Sequence, residues 1–172
     1  MTARYLGIDP GINGGLAWTC SNGEVGAESM PKTEKDVWEW ITKWNFAETI
    51  THNHRVFAAI EQQTPRPTSI FDRKAKEWRA TILKSTCLLW GNYCQLRAWL
   101  IAAGIPFEDC PPKRWQQGLH IRPKDKEEPP RHWKNHLKAE AQSLFPDAKV
   151  TLATSDALLL AEWCRRWREG KL

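Results

Sequence analysis

Three acids in this sequence stand where chemistry could use them. Asp9 closes the apolar run Tyr5, Leu6, Gly7, Ile8 and is followed by Pro10, Gly11, Gly14 and Gly15. Glu61 closes a second apolar run, RVFAAIE, just before a polar segment that contains proline. Asp156 opens TSDALLLAEW, whose leucines supply a packing face. Each acid has an ordinary reading. Asp9 can cap a turn through its own backbone, and Asp156 can stabilise a helix N-terminus. The chemical reading needs all three together. If the two strands are neighbours in one sheet, Asp9 and Glu61 sit side by side at its edge, and a helix start beside the sheet can bring Asp156 there. Clustered carboxylates repel one another unless a cation relieves them. Hard oxygen ligands select Mg²⁺ or Mn²⁺ over zinc. Two such ions can activate a water and stabilise the leaving oxygen of a phosphodiester.

The elements that must position these acids follow from patterning. Tyr5 to Asp9 and Leu16 to Trp18 read as two strands of a hairpin broken by Pro-Gly. A turn at Ser21-Asn22-Gly23 leads to a strand near Glu24 to Met30. Thr33 to Trp44 reads as a helix capped by Thr33, with acids in its first turn. Arg55 to Glu61 is a strand, and Ala75 to Ile101 is expected to be mostly helical, with a break at Gly91. Ile105 to Phe107 is expected as a short strand, Pro123 to Pro130 as a mobile loop, and Arg131 to Leu144 and Thr154 to Trp167 as helices. The expected fold class is α/β, with a central mixed sheet flanked by helices and one domain over residues 1–172.

Composition narrows the function classes. The 172 residues are 41% hydrophobic and 26% charged, which is ordinary for a soluble globular protein. No stretch approaches the ~20 apolar residues that a membrane span requires. The start, MTARYLGID, lacks a signal-peptide pattern. Five cysteines form no CxxC or zinc-type spacing, so reduced thiols in a cytoplasmic protein are expected. Net charge is +5 and the isoelectric point is near 9.0. The segment 64–79 holds five basic residues, Arg66, Arg73, Lys74, Lys76 and Arg79, against two acids. A second basic tract, Lys113 to Lys138, interleaves Lys and Arg with Trp115, Trp133 and three histidines. Such interleaving suits phosphate contacts and base stacking. It also suits a solvated surface edged by tryptophan. The eleven tryptophans include Trp38, Trp40 and Trp44 near helical spacing, which points to core or subunit contacts rather than chemistry.

Taken in order, YLGIDPGINGG, AAIEQQ and TSDALLLAEW resemble the RuvC-type Holliday junction resolvases of the ribonuclease H-like superfamily. PPKRWQQGL and SLFPDAKVTLATSDALLLAEW resemble the phage-type variant and its bacterial or organellar relatives. The resemblance covers nearly the whole chain. It implies a ribonuclease H-like fold and a homodimer that nicks two opposed strands of a four-way DNA junction. It implies Mg²⁺ or Mn²⁺ as cofactor, with two ions per site. Asp9, Glu61 and Asp156 are then the metal ligands, and Lys134, at the start of KNHLKAEAQSLF, is the lysine beside the scissile phosphate. Lys113 matches a second lysine of the family. With Arg114 and the tract Arg66, Arg73, Lys74, Lys76 and Arg79, it is expected to hold DNA. Two positions depart from the pattern. Ala153 stands where the family has a fourth acid or a histidine, leaving Ser155, Asp147 or water to fill the gap. Thr64 stands where an aromatic can wedge into the junction centre, leaving Phe71, Ile70 or no wedge.

Other readings remain to be separated. The same glycine-rich hairpin resembles the phosphate loop of sugar kinases and actin-like ATPases. That architecture needs two domains around a nucleotide cleft, which 172 residues cannot supply. A nuclease acting on other branched DNA or on RNA–DNA hybrid, and a junction-binding protein without catalysis, fit the same residues.

Overall fold

The structure, a computed structural model, describes residues 3–44, 55–65, 68–72, 76–81 and 83–172. Five strands form the central sheet: β1 (Ala3–Asp9), β2 (Gly15–Cys20), β3 (Val25–Ser29), β4 (Arg55–Glu61) and β7 (Phe107–Cys110), in the order β3-β2-β1-β4-β7. The first three strands are antiparallel, and β4 and β7 run parallel to β1. Helices flank this mixed sheet, so the fold is α/β. A separate hairpin pairs β5 (Thr68–Asp72) with β6 (Glu77–Thr81).

Strand periodicity sorts the core into two layers. Leu6, Ile8, Ala58 and Ile60 face α1 (Glu34–Thr42) and α2 (Lys84–Ala102), with Trp40, Ile41, Leu96 and Leu100. Tyr5 and Ala59 face the other way, onto α3 (Pro112–Gly118), α4 (Pro130–Leu144) and α5 (Ser155–Arg168). Asp9 and Glu61 share the parity of Tyr5 and Ala59. Both acids therefore belong to the face that α5 covers. Ile8 pairs with Ile60 in the parallel register, which sets the two acids one step further along adjacent strands.

Helix α5 lies almost on the backbone of β1. Gly7 permits this: a Cβ there would come within 2.0 Å of the Ala157 carbonyl oxygen and 2.4 Å of the Ala161 nitrogen. Leu158, Leu159 and Leu160 are fully buried, and burial of each such side chain contributes about 1.5–3 kcal/mol. That seating fixes where the N-terminal turn of α5, and with it Asp156, must stand.

Several expectations hold. Thr33 caps α1, accepting a hydrogen bond from the Asp36 amide at 3.1 Å. Residues 123–129 form no helix or strand. No described helix is long and apolar enough to cross a membrane. Others need correction. The segment expected to be helical from Ala75 is instead strand β6 over Glu77–Thr81, because a partner strand, Thr68–Asp72, offers it a ladder that local propensity does not reveal. Helix α2 then runs unbroken through Gly91, whose open side faces no neighbour within 4 Å. Strand β7 starts at Phe107 rather than Ile105. Pro106 ahead of it cannot donate, although its carbonyl accepts from the Ala58 amide at 2.9 Å. Helix α3 went unread because Pro111-Pro112 looks like a breaker. Pro112 occupies the first turn, where its missing N–H has no intrahelical partner to lose.

Candidate active site

The Asp9 carboxylate is held by the turn that follows it. Its Oδ1 accepts from the Gly11 amide at 3.1 Å, and the Gly14 amide donates to the Gly11 carbonyl at 2.8 Å. A Cβ on Gly14 would lie 2.7 Å from the Asp9 Cγ, so the turn can fold over the carboxylate only with glycine there. The turn-capping reading of Asp9 therefore holds, and the cap leaves its second oxygen free of that turn.

Glu61 is gripped from two sides. Trp115 Nε1–H donates to its Oε1 at 3.3 Å, and Gln63 Nε2 donates to its Oε2 at 3.1 Å. Asp156, only 4% exposed, accepts from the Ser155 hydroxyl at 3.1 Å on one oxygen and from the Lys134 ammonium on the other. Lys134 comes from the first turn of α4, so four elements deliver one cluster: β1, β4, α4 and α5.

Electrostatics bind these groups together. Burial pushes the Glu61 carboxyl up to about 8, with the charges of Asp9 and Asp156 adding to the rise and Lys134 and Trp115 opposing it. Burial, then the charge of Asp156, raises Asp9 as well, against the Gly11 amide and Lys134. Burial pulls Lys134 down, but Asp156, Asp9 and Glu61 outweigh it and hold the ammonium above its ordinary range. Three carboxylates with Lys134 as the one cation acting on them among the described residues leave the cluster short of positive charge.

The donor set fits a hard divalent cation in kind, since it is all carboxylate oxygen. The arrangement differs from a formed ion site: among the described residues, no three His, Cys, Asp or Glu side chains are grouped so as to hold a metal ion. The Lys134 ammonium takes an Asp156 oxygen, and Trp115 and Gln63 take both oxygens of Glu61.

The remaining expected residues fall as follows. Lys113 is exposed on α3. Arg114 pairs with Glu108 and lies over the rings of Trp163 and Trp167, at 5.1 Å and 5.5 Å. Its guanidinium is engaged with its own fold. Lys76 is exposed, with φ 54, at the start of β6. Arg66, Arg73 and Lys74 lie outside the described residues, as do the side chains of Arg79, Ile70 and Phe71. Around Ala153 the gap is bordered by Ser155, whose hydroxyl donates to Asp156 and so supplies no acid. Asp147 is exposed and is not among the charges acting on Asp9 or Glu61.

Trp115 and Gln63 were missed as functional residues. Trp115 sits in the aromatic-basic tract, but nothing local to PPKRW signals that its indole reaches a carboxylate 54 residues earlier. Beside Asp9 and Lys134 opens a cavity of about 810 Å³, walled by Ile12, Leu88, Leu89 and Leu152.

No protein-family model matches this chain, and no curated protein matches it in sequence. Among solved structures, the chain is similar to Thermus thermophilus RuvC, at 16% identity and a TM-score of 0.49 over 98% of this chain and 97% of that one. It is similar also to T. thermophilus RuvC in complex with a Holliday junction substrate, at 18% identity and a TM-score of 0.48, with the same coverage.

Proposed function

We propose that this protein is a divalent-metal-dependent endonuclease that resolves four-way DNA junctions by paired nicks. The observation that carries the reading is the convergence of Asp9, Glu61 and Asp156, with Lys134, at one end of a ribonuclease H-like sheet. The motif resemblance supports the choice of a branched substrate. Asp9, Glu61 and Asp156 would hold Mg²⁺ or Mn²⁺, two ions per site, once Lys134 turns from Asp156 to a phosphate. Bound there, such ions would supply an activated water and charge for the leaving oxygen.

The chain's own residues do the rest. Trp115 and Gln63 orient Glu61, while the Gly11–Gly14 turn fixes Asp9 and leaves its open side accessible. Lys134 places a cation where negative charge develops on the phosphate. The basic residues Arg66, Arg73, Lys74, Lys76, Arg79 and Lys113 hold DNA arms, and Arg114 borders them. The protein acts as a homodimer, because paired nicks match a two-fold axis. Exposed Leu88 and Trp90 on helix α2, with Leu83 at its N-cap, suit the contact, whereas Leu96 and Leu100 of the same helix belong to the internal core. Unpaired thiols at all five cysteines suit a cytoplasmic setting.

The test is incubation with a synthetic mobile four-way junction, with and without Mg²⁺ or Mn²⁺, mapping nicks on all four strands. Paired nicks in opposed strands that require metal support the reading. A second reading, junction binding without cleavage, is favoured by Ala153, which stands where the family has a fourth acid or a histidine. Binding in EDTA with no cleavage under either metal would select it. Faster cutting of RNA–DNA hybrid than of the junction at equal salt would move the substrate elsewhere.

A further inference from the structure

Each of the three clustered acids has an uncharged donor built beside it. The Gly11 amide serves Asp9 at 3.1 Å, and Trp115 and Gln63 serve Glu61 at 3.3 Å and 3.1 Å. For Asp156 that donor is Ser155, whose hydroxyl lies 3.1 Å from Oδ1. Serine has one O–H proton to give, and a second acceptor, the Leu152 carbonyl, stands at 3.4 Å. The carboxylate is both nearer and charged, so it takes the proton. Ser155 is fully buried, and water does not compete for its hydroxyl.

The segment that carries this hydroxyl is itself locked. Thr151 accepts from the Thr154 amide at 3.2 Å and Thr154 from the Thr151 amide at 3.0 Å, a reciprocal pair of the capping-box kind. The Ser155 amide donates to the Thr151 carbonyl at 3.0 Å. Gly15 of β2 admits the Ala153 carbonyl, since a Cβ there would lie 2.6 Å from that oxygen. Ser155 therefore stands in a fixed place, and its hydroxyl addresses one oxygen of Asp156.

Two features make this donor consequential. Lys134, the other partner of Asp156, leaves for a phosphate in the nuclease reading, and its side chain is 43% exposed. Ser155 is the partner that stays. Ala153 borders the cavity beside Asp9 and Lys134, at the position where the family has a fourth acid or a histidine. The start of α5 thus brings one carboxylate to the cluster, and that carboxylate must keep its orientation without a neighbouring acid to share an ion.

We propose that Ser155 is a positioning residue of this site: its hydroxyl fixes the rotation of the Asp156 carboxylate and keeps Oδ2 presented to the cluster, a task that falls to it because of Ala153. Partners that orient a ligating side chain set metal affinity by about 10–100-fold. The inference rests on the nuclease reading and deepens its metal site.

Mn²⁺ titrated into DNA-free, full-length protein tests it without cleavage, with the unbound ion read by electron paramagnetic resonance. Ser155→Ala should weaken Mn²⁺ binding about tenfold, while its melting in EDTA falls by only a few degrees. Alanine fits the space that serine fills, so the variant folds. Thr151→Val is the control for fold support. It breaks the reciprocal threonine pair, should melt lower by a similar amount, and should bind Mn²⁺ as wild type does. In an Ala153→Asp background, where a second acid can share the ion, Ser155→Ala should weaken binding by less than about twofold. Wild-type affinity in Ser155→Ala overturns the proposal and leaves the metal site standing. A Thr151→Val chain that loses as much affinity as Ser155→Ala overturns it too, because Ser155 would then act through folding alone. An equal loss in both backgrounds overturns the link to Ala153. A wild-type chain that takes up no Mn²⁺ overturns the metal site and the role of Ser155 together.

Discussion

Gly7 faces the backbone of Ala157 so closely that a Cβ at position 7 would stand 2.0 Å from the Ala157 carbonyl oxygen. The neighbour is helix backbone, which cannot rotate aside. Asp156 is the residue next to Ala157, so the spacing between strand and helix sets the position of one carboxylate against another. Gly7→Ala should force α5 outward. Overpacking costs about 1–3 kcal/mol or more, which predicts a thermal midpoint lower by roughly 5 °C. Nuclease activity should fall further than the loss of folded protein accounts for. A Gly7→Ala protein with wild-type melting would mean that the helix seats with slack.

Asp9→Asn, Glu61→Gln and Asp156→Asn should each lower cleavage by at least about a thousandfold while junction binding in EDTA persists, since each removes a proposed metal ligand that would serve transition-state charge. Full activity in any one variant takes that residue out of the site. Asp156→Asn has a second effect: the Lys134 ammonium loses its charged partner. Binding by this variant should therefore tighten slightly, because Lys134 becomes available to phosphate.

Glu61 should make the metal-free protein less stable as pH rises. Its carboxyl is held at about 8 in the folded chain by burial and by the charges of Asp9 and Asp156, far above its value in an unfolded chain. Between about pH 4.5 and 8 the folded state keeps a proton that the unfolded state has released. The stabilisation from that proton is complete at the acid end and lost as pH passes about 8. Asp9 is shifted in the same direction and adds to the trend. Thermal midpoints in EDTA should fall from pH 5 to pH 8, and Glu61→Gln should flatten the fall. Added Mn²⁺ at pH 8 should recover stability, because it binds only the folded carboxylate cluster. A flat profile in EDTA would contradict the packed, cation-poor cluster.

Trp115 tests the support of Glu61. Trp115→Phe keeps a buried aromatic but deletes the indole N–H that donates to Glu61 Oε1 at 3.3 Å. That hydrogen bond favours the ionised carboxyl, so its loss should carry the fall of the metal-free thermal midpoint to still higher pH. A variant with lower stability and an unmoved pH profile would reduce Trp115 to packing alone.

What the sequence made legible and what it did not divide along a physical line. The strand-ending acids were legible because an apolar run broken by Pro-Gly or by a polar segment is a local signal, and parallel pairing of β1 with β4 then brings Asp9 beside Glu61. Asp156 was legible from the helix it opens. Trp115 was not, because its role depends on α3 folding back across the end of β4, a long-range relation with no local pattern. The β5–β6 hairpin was hidden for the same reason. Lys76, Glu77, Arg79 and Ala80 are good helix formers, and only the partner strand overrides them. Arg114 carried a basic residue's signature, yet Glu108, Trp163 and Trp167 engage it.

Lys134 separates chemistry from positioning. Its ammonium pairs with Asp156, and Asp9 and Glu61 also help keep it charged. Arg66, Arg73, Lys74, Lys76 and Arg79 follow Glu61 in the chain and are proposed to contact the DNA backbone. Phosphate contacts give salt-dependent affinity with little sequence information. Replacing two or three of these with alanine should weaken binding and flatten its salt dependence, and saturating DNA should restore most of the cleavage rate. Lys134→Ala should stay slow at saturating junction, by roughly a hundredfold, because the missing cation serves charge that develops only in the transition state. Lys134→Arg should rescue partially at best, since its planar fork does not replace a compact ammonium between Asp156 and a phosphate. Single-turnover rates at saturating DNA measure the difference. A Lys134→Ala protein that cleaves like wild type there would make Lys134 one more backbone contact.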